Sequence, residues 1–235
     1  MIAALTGHLG AGKTFGVTYF AWLLSYKAGG LPVLSNYTLR EEYFARHAQR
    51  SAAFKLYLLR DEKDWLQFTA GGGGVVALDE LHRLVDARMA MGSQNVVLTH
   101  FFMFLRKIGA TTLVTDQHMG FMDARIRAVV DVWIRCSKLL DARGELVGFR
   151  YDTFDQGGRP RRTLYLPAAR ARALLGAYNT REIVRGFQFP RTMPAFDKFL
   201  EQLDLSIRSA QERAGVVAPP APSLDELDGL LGMGA

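Results

Sequence analysis

Apolar residues follow two rhythms along this chain. Short unbroken apolar runs occur at MIAALT (1–6), LPVLSN (31–36), VVALDE (75–80), ATTLVTDQ (110–117) and VDVWIRCSKLL (130–140). Runs this short, bounded by turn residues and polar ends, predict strands buried on both faces. Between them lie stretches with helical spacing: residues 12–27, LREEYFARHAQ and EKDWLQFT within residues 39–69, and residues 95–108. In the last of these, Val97, Phe101, Phe104, Leu105 and Ile108 form one stripe. A short helix is predicted across MDARIRAVV, and a helix or loop across HRLVDARMAM. Ala28, Gly29 and Gly30 stop the first helix, and Gly71 to Gly74 break the chain before VVALDE.

After residue 140 the pattern changes. The turn signals DARGE and DQGGRP separate alternating segments at 131–140, 146–154 and 161–166, which predicts an antiparallel β meander. Residues 167–213 read as mostly helical, with breaks at Gly176, Gly186 and Pro190. Strands alternating with helices predict an α/β fold with a mostly parallel central sheet, extended by the meander and by C-terminal helices. The expected organisation is a core over 1–140, an extension of the same domain over 141–213, and a flexible linker and tail over 214–235.

The first strand and helix enclose GHLGAGKT, which fits G-x-x-x-x-G-K-[ST] at every fixed position. This makes Gly7, His8, Leu9, Gly10, Ala11, Gly12, Lys13 and Thr14 a phosphate-binding loop. Gly7, Gly10 and Gly12 let the backbone curl and approach a ligand, so that successive N–H groups form an anion nest at a helix N-terminus. Lys13 supplies a positive charge for the β- and γ-phosphates, and Thr14 a hydroxyl for Mg²⁺. The expected cofactors are therefore ATP and Mg²⁺.

The strand VVALDE ends in two carboxylates. Asp79 suits a place near Mg²⁺, and Glu80 one from which to orient and deprotonate an attacking water. ATTLVTDQ ends at Thr115, Asp116 and Gln117. The neutral amide of Gln117 suits contact with both water and γ-phosphate, without the repulsion Asp116 would suffer. Arg88, Arg106, Arg125 and Arg127 are the candidates for an arginine that stabilises transition-state charge, and the residues alone do not choose among them.

Composition narrows the picture further. The 235 residues carry a formal net charge of +6, which favours polyanionic partners. Lys107 and the GGRPRR turn, with Arg159, Arg161 and Arg162, are candidate DNA contacts. The single cysteine, Cys136, excludes a disulfide framework, and the five histidines lack ligand spacing for zinc. No secretory leader and no uncharged apolar stretch of 18 residues is visible, so a soluble, cytoplasmic protein is expected. Leu224, Leu227, Leu230 and Leu231 recur among acids in the tail, as in a docking peptide or a frayed end.

These motifs resemble the FtsK/HerA superfamily of DNA-translocating ATPases. The resemblance rests on the N-terminal P-loop, SNYTL, VVALDELHRLVDAR, the helix ending LRKIG before a Thr-x-Gln strand, and the D-x-R-I-R segment after that glutamine. Within the superfamily the chain is similar to Zot-like proteins of filamentous phages and to genome-packaging ATPases of membrane-containing icosahedral viruses. The similarity covers roughly residues 1–140 and extends to YNTREIV (178–184). It implies a RecA-like P-loop NTPase of the additional-strand, catalytic-Glu type. Lys13 and Thr14 would lie on nucleotide and metal, Asp79 and Glu80 would act in hydrolysis, and Gln117 would be the sensor. It also implies a homo-oligomeric ring, such as a hexamer, around DNA. Zot-like extrusion proteins typically carry a membrane segment after the ATPase domain. The expectation is therefore a packaging ATPase that pumps double-stranded DNA into a preformed capsid, in the host cytoplasm or at a virion vertex. Its alternatives are Zot-like extrusion and a non-translocating nucleotide switch docked on a capsid or membrane protein. A small-molecule kinase is disfavoured by Glu80 and Gln117.

Overall fold

The computed structural model describes residues 1–83, 93–122, 124–179, 182, 184, 190 and 193–214. Eight strands form one sheet: β1 (Ile2–Thr6), β2 (Val33–Ser35), β3 (Leu56–Leu58), β4 (Val75–Leu78), β5 (Thr111–Asp116), β6 (Val132–Leu140), β7 (Leu146–Asp155) and β8 (Pro160–Pro167). Their order is β3-β2-β4-β5-β1-β6-β7-β8. Pairing is parallel from β3 to β6 and antiparallel from β6 to β8. The α/β fold, the mostly parallel sheet and the meander are as the sequence predicts.

Helices cover both faces. They are α1 (Lys13–Lys27), α2 (Ala45–Arg50), α3 (Glu62–Ala70), α4 (Ser93–Lys107), α5 (Ala124–Val129), α6 (Ala168–Arg172) and α7 (Met193–Ala214). Strand alternation sorts the core into two layers. Ala3 and Leu5 of β1 face Phe15, Val17 and Phe20 of α1 together with Phe149 and Tyr151 of β7. Ile2 and Ala4 face Trp65 and Phe68 of α3, Phe101, Phe102 and Leu105 of α4, and Phe196, Phe199 and Leu203 of α7. Full burial of each large side chain contributes about 1.5–3 kcal/mol. Phe101 and Leu105 of the predicted stripe are wholly buried, and Ile108 is nearly so.

Two elements differ from the sequence reading. Residues 39–69 were expected to be helical in two stretches, but β3 lies between those stretches and pairs in parallel with β2. Three residues are too few to show a period of two, so an edge strand of this length leaves no pattern to read. The stretch from Leu39 also begins as a 3₁₀ turn (Glu41–Phe44) before α2. The predicted helix or loop at HRLVDARMAM falls mostly outside the described residues. No helix among the described residues is long and apolar enough to cross a membrane.

Candidate functional site

The carboxyl ends of β1, β4 and β5 lie side by side, where ligands of open α/β sheets bind. From β1 the chain passes through the loop 7–12 into α1. Lys13 folds back over this loop, and its Nζ donates to the carbonyls of Gly7 (2.8 Å) and His8 (3.0 Å). Gly12 has φ +89°, and a Cβ there would stand 2.5 Å from the Phe149 ring; a Cβ on Gly7 would stand 2.7 Å from the Cys136 carbonyl oxygen. The sequence motif gives these glycines a tight backbone curl and close approach by a ligand. In the structure the crowding comes from the protein's own meander, which presses against the loop from beneath. Phe149 stacks on Phe15, ring centroids 4.7 Å apart. The Cys136 thiol is pushed up to about 12 by burial, which makes it inert. Leu9 is 90% exposed at the loop tip.

Asp79 follows β4 directly and is buried. Its backbone is clamped from β2: Asn36 Nδ2 donates to Asp79 O (2.9 Å), and Asp79 N donates to Asn36 Oδ1 (2.8 Å). The amide thus continues the β2–β4 pairing by one side chain. The Asp79 carboxylate accepts from Thr14 Oγ1 at 2.9 Å and from Thr115 Oγ1 of β5. Burial raises its pKa above the ordinary carboxylate value, and the two hydroxyls partly offset this. Glu80 is half-buried with φ +51°, the one non-glycine residue at positive φ among those described.

A cavity of about 480 Å³ opens between these elements, lined by the loop, Asp79, Glu80, Thr115, Asp116 and Gln117. Gln117 is exposed there, and its main-chain carbonyl accepts from Gly7 N (3.4 Å). Asp116 is buried; its carboxylate accepts from Gln117 N (2.6 Å) and faces His82 Nδ1 at 3.5 Å.

Other lining residues carried no predicted role. Lys138 comes from β6 and Phe149 from β7; Tyr37 follows β2; Tyr178, Asn179 and Glu182 return from far along the chain. Leu39 bridges Tyr178, and the Glu182 carboxylate accepts from Thr38 N and Thr38 Oγ1, both at 2.9 Å. Burial pushes the Tyr178 phenol up to about 12. The signal for this wall was the pair of segments SNYTL and YNTREIV, which the resemblance includes without giving either a role.

Magnesium nucleotide fits this donor set. The α1 N-terminus carries no side-chain cap and no acidic residue in its first turn, so its amides are left for an anion. One hydroxyl and one carboxylate meet at Thr14 and Asp79, as suits Mg²⁺, which takes few protein ligands and completes its shell with phosphates and water. Among the described residues no cluster of three His, Cys, Asp or Glu side chains forms a closed metal cage.

A sequence model of the family described as zonular occludens toxin (Zot) matches residues 1–163, which run from β1 into β8 and include both carboxylates and Gln117. The chain belongs to the Zot family. Zot is a P-loop ATPase family associated with phages, so this Zot chain is a nucleotide-dependent enzyme of that general kind. A search of curated proteins finds no match.

None of the other described candidates lines the cavity. Arg125 is exposed on α5, where Arg127 donates to Met119 O (3.3 Å). Arg106 pairs at 3.4 Å with Asp131, whose other oxygen accepts from Ile2 N at the start of β1, the end of the sheet opposite the loop. Lys107, Arg159, Arg161 and Arg162 are exposed. The register places residues 159–161, the end of the turn and the start of β8, at that same opposite end, since Phe154 pairs with Pro160 and Asp155 with Val132. Arg88 lies outside the described residues.

Proposed function

We propose that this chain hydrolyses ATP to drive phage DNA during virion assembly. The observation that carries the proposal is Asp79, tied at 2.9 Å to Thr14 of the loop and followed by Glu80 on the same cavity. Bound magnesium nucleotide supplies the phosphoanhydride bond and an electrophilic γ-phosphoryl group. Lys13 and the α1 amides bind its phosphates, and Thr14 and Asp79 hold the cation. Glu80 takes the proton of the attacking water, and Gln117 contacts that water and the γ-phosphate. The arginine that stabilises transition-state charge comes from Arg88, Arg125, Arg127 or a neighbouring subunit of a ring.

Arg159, Arg161, Arg162 and Lys107 grip DNA phosphates without reading bases. Their exposure, and the place of Lys107, Arg159 and Arg161 at the end of the sheet opposite the nucleotide cavity, support a motor with separate fuel and track sites. Two forms of the motor share this engine. Family membership supports extrusion of a filamentous virion; the net charge of +6 suits a polyanionic track in either form, including pumping of duplex DNA into a capsid.

Steady-state ATP hydrolysis with and without duplex DNA tests the reading. Several-fold stimulation that fades as salt rises, and that is lost in Arg159→Ala/Arg161→Ala/Arg162→Ala, is the expected result for a DNA motor. Hydrolysis indifferent to DNA at every salt concentration would remove the packaging form and leave extrusion or a partner-regulated switch.

A further inference from the structure

One hydroxyl ties the side chain of Asp79 to the main chain of Glu80. Thr115, the penultimate residue of β5, is completely buried. Its O–H donates to Asp79 Oδ1, and the same oxygen accepts from Glu80 N at 2.9 Å. A single atom therefore holds the side chain of one acid and the main chain of the next.

The backbone explains why such a tie is needed. β4 and β5 pair in register as far as Leu78 and Val114. One step further Asp79 turns its amide and carbonyl to Asn36 on the β2 side, and Glu80 enters the left-handed region at φ +51°. A non-glycine residue holds that conformation only where its surroundings fix it. From β5, the Thr115 hydroxyl supplies one contact that fixes it. It also sets the rotation of the Asp79 carboxylate, whose second oxygen meets Thr14. Valine at position 115 would keep the shape, but would leave the Glu80 amide and Asp79 Oδ1 without this partner.

We propose that Thr115 is a positioning residue for hydrolysis. It orients the cation-holding carboxylate of Asp79, and it holds the left-handed turn that brings Glu80 to the cavity. Gln117 lies two residues further along, so the segment that contacts the γ-phosphate also aims both acids. This role rests on the ATPase reading above and names a residue that the reading does not use.

Two pairs of variants each isolate the hydroxyl: wild type against Thr115→Val, and Thr115→Ser against Thr115→Ala. Loss of the hydroxyl is expected to lower kcat by about tenfold or more, and to raise several-fold the Mg²⁺ concentration needed for half-maximal rate. KM for ATP should rise by no more than that same several-fold factor, because Lys13 and the loop are untouched; Thr115→Ser should keep most of the wild-type rate. A folded Thr115→Val with wild-type kcat and Mg²⁺ dependence would overturn the proposal. So would Thr115→Ser falling as far as Thr115→Ala, which would make packing rather than the hydroxyl the cause. If Thr115→Val does not fold, the Ser and Ala pair decides alone. Calorimetry of ATP binding with and without Mg²⁺ reads the same contact without turnover. A wild type that does not hydrolyse ATP would sink the ATPase reading, while the Mg²⁺-dependent gain in affinity, reduced in Thr115→Val or unchanged, still judges Thr115.

Discussion

The two walls of the nucleotide cavity are built by opposite means. The wall from β4 and β5 is polar and held by hydrogen bonds: Asn36, Asp79, Thr14 and Thr115 form a connected set with little room to rotate. The wall beneath the loop, from β7, is aromatic: Phe149 stacks on Phe15, and Tyr151 meets Phe20 edge-on. The difference separates two demands. Hydrolysis needs charges at fixed angles, which directional bonds provide. A glycine-rich loop needs a floor that keeps it curled, which close packing provides without placing more polar atoms near phosphate. Damage to the first wall should therefore appear in the rate, and damage to the second in stability and nucleotide affinity.

The sharpest way to break this comparison is at Glu80. Glu80→Gln keeps the shape and removes the base, so kcat should fall about 10²–10⁴-fold while ATP binding, read by calorimetry, is retained. Equal loss of binding would mean that Glu80 supports the loop as well as the chemistry. On the other wall, Phe149→Ala should cost about 3–5 kcal/mol of stability in denaturant unfolding. It should weaken nucleotide affinity more than it lowers kcat at saturating ATP; a variant with normal affinity but a collapsed rate would erase the distinction.

The smallest expected effect lies further along the apolar face. His47 is buried among Trp22, Tyr26, Phe44 and Phe54, with Nε2 against the Trp22 carbonyl at 2.8 Å. Burial holds its imidazole below the ordinary 6.5, so the unfolded chain takes up a proton that the folded chain refuses. That contribution to stability is whole above about pH 6.5 and declines as the pH falls from there toward the folded value. Thermal melts between pH 5 and 8 should show a decline on the acid side that His47→Phe flattens. An unchanged slope would assign the acid sensitivity to other groups.

The polar wall was largely legible in the sequence, because its parts sit in contiguous words. GHLGAGKT, VVALDE and ATTLVTDQ each encode a strand end and its chemistry within eight residues or fewer. What escaped was the joinery between words. Nothing local says that Asn36 binds the backbone of Asp79, or that Thr115 rather than its neighbours touches both acids. The aromatic wall was harder still. The alternation that makes β7 a strand also places Phe149 inward, but it does not say that the inward face lies under Gly12. Glu182 reaches Thr38 across 144 residues, a distance over which patterning carries no information. The three residues of β3 are too few to carry a measurable period.

The position of β1 has a consequence for how this protein is made. Residues 2–6 are made well before their sheet partners, residues 112–116 on one side and 132–135 on the other. This buried strand must wait, unpaired, at least while residues 7–111 are synthesised. Non-local pairing of this kind folds slowly and exposes an aggregation-prone edge in the interval. The nascent chain should therefore depend on holding factors until β5 and β6 emerge, and nucleotide capture can begin only after that, since the phosphate loop has no fixed strand to spring from until β1 is clasped on both sides.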